Sequence, residues 1–145
     1  MSDVKSWEYY GTSDERTIDR VGYVRAVACA LEFLRLMTPM TQDDVPTIFK
    51  VKYVVGYHAF SSLNQLIPDL PTLRWPLNGE SARHLRNDLV HYTPRHDVHG
   101  AHLDTSRPRE ALVEHYATKS FTDVAAQLDM YLGDLLEETD THLRS

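Results

Sequence analysis

A chain of 145 residues that is 42% hydrophobic and 25% charged has the size and balance of one soluble globular domain, which excludes a disordered polymer and a multidomain array. No apolar run approaches the roughly 18–20 residues needed to span a bilayer, and the opening MSDVKSWEYYG lacks the basic-then-apolar pattern of a secretory leader. The net charge of -6 weighs against nucleic-acid binding by the chain as a whole.

Residues 1–12 read as a loosely held arm carrying Trp7, Tyr9 and Tyr10. A first helix is predicted from Ser13-Asp14, which can cap it, to about Met37, with Val21, Val24, Ala28, Leu31 and Leu34 on one face and Pro39 beyond its end. The single cysteine, Cys29, cannot form an intrachain disulfide and fits a reducing cytoplasm, the expected location. Between Ala28 and Ala30 it is expected as a small core residue. A second helix starts at Asp43-Asp44, with Pro46 in its first turn and Pro68 as its stop. Its stripe of Phe49, Tyr53, Tyr57, Phe60, Leu63 and Ile67 has the spacing of a core face rather than of a cofactor pocket.

PDLPTLRWPLN, residues 68–78, reads as a loop. Asn78 or Ser81 can cap a third helix that Thr93-Pro94 closes, and residues 95–107 form an aperiodic loop. Pro108 opens a short helix through Ala117. The last helix begins near Phe121 and carries Val124, Leu128, Tyr131 and Leu135, widened by Ala125, Leu132 and Leu136. Gly56 and Gly133 fall inside predicted helices and suggest close helix packing, while the acidic run Asp134 to Asp140 reads as a solvated face or a contact for a basic regulatory protein such as an antitoxin. No sustained strand alternation and no repeat is visible. The expected fold is therefore all-α, a single domain over residues 1–145 built as an antiparallel bundle of four principal helices plus a short additional one.

Charge is unevenly distributed. Residues 74–109 hold six arginines (74, 83, 86, 95, 107 and 109) against four acids, plus five of the eight histidines. This is a locally basic island on an acidic chain, and every cation in it carries the planar fork that suits phosphate oxygens. Within it, RHLRNDLVHYTP (83–94) places Ala82, Leu85, Leu89 and Tyr92 on one side of a helix. Arg83, Asn87 and His91 form a polar row, with Arg86 on its flank. From Arg86 to His91 the rotation is about 140° and the rise about 7.5 Å, so the pair splays on one helix, and a two-fold partner helix would bring a second pair into the same cleft. Given 11 arginines and eight histidines, chance alone supplies roughly 0.6 pairs at this spacing, so the context and not the count carries the argument.

R-N-D-L-V-H, Arg86 to His91, resembles the signature of HEPN domains: an arginine, usually a polar residue after it, four to six residues in all, and then a histidine. The resemblance implies a dimeric helical bundle with a composite site where the motif helices of two protomers meet. It also implies a metal-independent endoribonuclease, typically a toxin or an antiviral defence effector. Carried over residue by residue, the catalytic set is Arg86, Asn87 and His91, with Arg83, Arg95 and His96 as candidate contacts to RNA. The chemistry is sound in itself. Ribose supplies its own 2′-OH nucleophile, an imidazole titrating near neutrality can take or give the proton, and a guanidinium stabilises charge on the phosphoryl oxygens. No cofactor is expected. The alternative is a catalytically inactive relative that binds a protein or a nucleotide. His91, His96, His99 and His102, with Asp97 and Asp104, are competent Zn²⁺ ligands, but their spacing follows no firm metal motif and no metal is assigned.

Overall fold

Helix α1 (Ser13–Leu36) turns Val24, Ala28, Leu31 and Leu34 inward, each at most 7% exposed. The computed structural model describes residues 13–67, 75–91 and 106–144, with side chains from Asp19 onward and without that of His91. A short 3-10 turn, Gln42–Asp44, leads into α2 (Val45–Leu66), where the Asp44 carboxylate accepts the backbone N–H groups of Met40 and Thr41 and Pro46 sits in the first turn. Helix α3 (Gly79–His91) begins directly after Asn78, the nearer of its two candidate caps, whose carbonyl accepts the Ala82 N–H at 2.8 Å. Helices α4 (Pro108–Ala117) and α5 (Phe121–Arg144) follow the proline and aromatic signals that predict them. Between them Thr118 adopts the left-handed conformation with φ 55°, and Glu114 accepts the Phe121 N–H at 2.9 Å, which turns the chain sharply.

The fold is all-α, with no strand among the described residues. Helix α1 packs on α2 and α5, while α3 packs on α2 and α4, and α4 also meets α5. The aromatic stripe of α2 is core, as its spacing predicts. Its partner is Trp75, only 7% exposed, whose ring lies 5.2 Å from Tyr53, 5.7 Å from Tyr57, 5.9 Å from Phe60 and 5.3 Å from Tyr131, centroid to centroid. The Pro-rich connection therefore ends in a core anchor, with Leu77 buried beside it. Gly56 makes this possible: a Cβ there would stand 2.8 Å from Leu132 Cδ2 and 3.2 Å from Trp75 Cη2.

Three sequence expectations are corrected. Cys29 is exposed rather than core, because it lies about 100° around the helix from Ala28 and outside the inward face. Val21 lies at the rim of that face, 37% exposed. Gly133 meets only Arg35, at 3.8 Å from a built Cβ, so no close packing requires a glycine there. No helix among the described residues is long and apolar enough to cross a membrane.

Candidate functional site

Two long-range hydrogen bonds fix α3 before its arginines can act. Tyr53 of α2 donates its hydroxyl to the Ala82 carbonyl at 3.0 Å, and Tyr116 of α4 donates to the Asp88 carboxylate at 2.5 Å. Asp88 is only 4% exposed, so its charge is stabilised by this hydroxyl and the helix cannot rotate without stranding it. Ala82, Leu85 and Leu89 are buried as the helical wheel predicts, whereas Tyr92 lies outside the described residues.

One turn on from the Tyr53–Ala82 bond, Arg86 lies against Tyr57, its guanidinium carbon 5.2 Å from the ring centroid. Arg86 is half-buried, and its Nε is buried without a hydrogen-bond partner. No carboxylate pairs with it among the described residues. The cation is thus partly desolvated, supported by an aromatic face and uncompensated by an acid. His58, next to Tyr57 on α2, is held below its ordinary value by partial burial and then by the Arg86 cation, so it is neutral at pH 7. The same burial pushes the Tyr53 hydroxyl far up, which keeps it a proton donor to Ala82 at neutral pH.

The remaining sequence candidates do not all converge on this point. Arg83 is exposed and makes a 3.9 Å ion pair with Glu80 one turn back, an arrangement of little energetic consequence. Asn87 is half-buried, and its side chain makes no hydrogen bond among the described residues. His91 ends the described part of α3 on the same helix as Arg86, with its side chain outside the described set. Arg95, His96 and the rest of the histidine-rich stretch also lie outside it. Among the described residues no group of three or more histidine, cysteine or acidic side chains is placed to hold a metal ion.

Tyr57 and His58 are what the sequence argument missed. Tyr57 reads as one more member of a core stripe, and only its polar edge and its place beside a histidine set it apart. A second concave region has the wrong sign for phosphate. A groove of about 550 Å³ between α1 and α5 is lined by Asp129, Asp134, Glu137 and Asp140 together with Arg35 and Arg144. Beside it burial, and then Asp134 and Glu137, hold the Glu138 carboxyl above the ordinary carboxylate range. Comparison with protein families, with curated proteins and with solved structures finds no match for this chain.

Proposed function

We propose that this chain is a dimeric, metal-independent endoribonuclease of the HEPN type, using Arg86, Asn87 and His91 from each of two protomers. The observation that supports it best is Arg86 itself: a half-buried guanidinium with an unpartnered Nε and no acidic neighbour among the described residues. A buried cation is normally paired. One held on an aromatic face without a pair suits an anion that arrives from outside, and the fork geometry suits phosphate. His58, held below its ordinary value, adds no second positive charge beside Arg86 at neutral pH.

In the proposed reaction one His91 takes the proton of the ribose 2′-OH as its oxygen attacks phosphorus. The bond from phosphorus to the 5′-oxygen breaks, and the second His91 protonates that leaving oxygen. Arg86 neutralises the charge on the non-bridging oxygens and Asn87 orients the phosphate. The products are a 2′,3′-cyclic phosphate and a 5′-OH. The toxin or defence role follows from the resemblance and belongs to the same proposal.

The test is cleavage of diverse RNAs in EDTA by the wild-type protein, Arg86→Ala and His91→Ala. Each variant is expected to lose about 10²–10⁴-fold in rate, with the helical circular dichroism of the fold kept. Wild-type protein that stays folded and dimeric yet leaves every RNA intact overturns the enzyme; RNA binding lost in Arg86→Ala under those conditions establishes the inactive binding module instead.

A further inference from the structure

Helix α1 carries a second apolar stripe on the side opposite its core face. Gly22, Ala26, Cys29, Phe33 and Leu36 are all exposed, and Met40, just past the helix end, continues the spacing. Phe33 is 69% exposed, Leu36 75% and Met40 92%, the three most exposed of the large apolar side chains described, with Met130 of α5 next at 66%. Within the helix the steps from Gly22 to Leu36 are four, three, four and three residues, an average of 3.5, which keeps a stripe in register against a partner helix over several turns. Scattered exposed apolar residues need no explanation, but a continuous seam does.

We propose that this face pairs with the same face of a second copy of the chain, the two α1 helices running antiparallel about a two-fold axis. The flanking charges select both the occupant and the register. Arg25 and Glu32 lie two turns apart on one flank of the seam, both exposed and without an ion pair among the described residues. In an antiparallel pair with Ala26 of one copy opposite Cys29 of the other, Arg25 of each copy meets Glu32 of its neighbour, twice over by symmetry. Sliding the pair by one heptad either way sets Arg25 against Arg25 or Glu32 against Glu32. A parallel pair leaves both charges without a counterpart, because Ala30 occupies the facing flank position.

Size complementarity selects the same register. It puts the Phe33 ring of one copy over Gly22 of the other, and Gly22 has open space where a Cβ would project. Ala26 and Cys29 fill the middle, small enough to let the two backbones approach closely. The overlap from Asp19 to Leu36 runs about 26 Å. This pairing is separate from the α3 pairing of the proposed ribonuclease and does not rest on it: α3 packs on α2 and α4, whereas α1 packs on α2 and α5.

Sedimentation over micromolar concentrations tests it, with wild type, Phe33→Glu, Arg25→Glu, Glu32→Arg and the double variant Arg25→Glu/Glu32→Arg. All three substitution sites are on the exposed face, and thermal melts confirm that each variant is folded. Phe33→Glu and each single charge reversal are expected to weaken self-association by about tenfold or more, and the double reversal to restore it to within a few-fold of wild type. Under mild oxidation Ala26→Cys is expected to form a covalent dimer through Cys29 of the other copy far more readily than wild type, whose only cysteine lies off the axis in this register. A monomeric wild type, association indifferent to these changes, or a double reversal no better than the singles overturns the proposal and leaves the stripe to another helical partner.

Discussion

Replacing Gly56 by alanine sets two effects of known sign against each other. A helix interior gains about 1 kcal/mol when alanine replaces glycine, because the unfolded chain has less freedom to lose. Here the new methyl would lie 2.8 Å from Leu132 Cδ2 and 3.2 Å from Trp75 Cη2, inside ordinary contact distance. Neither neighbour has room to retreat: Leu132 is 1% exposed, and Trp75 is boxed in by the rings of Tyr53, Tyr57, Phe60 and Tyr131. Overpacking of this kind costs about 1–3 kcal/mol, so the expected net loss is about 1 kcal/mol, or roughly 3 °C in Tm for a domain of this size. Gly133→Ala is the control. Its methyl meets only Arg35 atoms at 3.8–3.9 Å, an ordinary contact, so it keeps most of the propensity gain and raises Tm by about 3 °C. Thermal and urea unfolding followed by circular dichroism compare the two. If Gly56→Ala stabilises as much as Gly133→Ala, the close approach of α2, α5 and Trp75 is not real. A further consequence reaches the candidate site, because Trp75 packs on Tyr57 and Tyr57 carries Arg86.

Two other perturbations probe buried charge. Lys52 is 8% exposed and donates to Asp129 at 2.8 Å, while the Asp129 side chain is 59% exposed. Asp129→Ala strands the ammonium and is expected to cost about 1–3 kcal/mol in urea unfolding, whereas Lys52→Met leaves a carboxylate that water can solvate and stays within about 1 kcal/mol of wild type; the reverse order would refute the asymmetry. Arg86→Gln removes the smaller of the two influences on His58, so NMR titration should show the imidazole rising part of the way toward 6.5 and not beyond it. A lowered imidazole value means that the unfolded chain binds the proton first. The resulting destabilisation is absent above pH 6.5 and develops as pH falls from there toward the folded-state value. Arg86→Gln should therefore lose less stability on acidification through that window than wild type does, and equal losses would show that Arg86 does not act on His58.

The helices and most of their ends are determined locally, so the sequence alone reaches them. Pro46 and Pro108 open helices because a first-turn N–H needs no partner, and Pro39 and Pro68 mark the places where helix cannot continue. Apolar residues at steps of three and four name the inward faces of α1, α2, α3 and α5 without reference to any neighbour. The same wheel separates Ala82, Leu85 and Leu89 from the exposed Arg83. What surrounds each polar group is a different kind of fact. Lys52 meets Asp129 across 77 positions, Asp88 meets Tyr116 across 28, and Tyr53 meets Ala82 across 29. Nothing in the local pattern says that Asp88 is buried, that Cys29 is not, or that Arg86 turns toward Tyr57. Burial of a charge is settled by whichever helix stands opposite, and the period of one helix carries no information about the other. The sequence by itself determined an all-α chain with an arginine–histidine helix; only the packing of α3 between α2 and α4 decided that its arginine would be half-buried, aromatic-backed and, among the described residues, without an acidic partner.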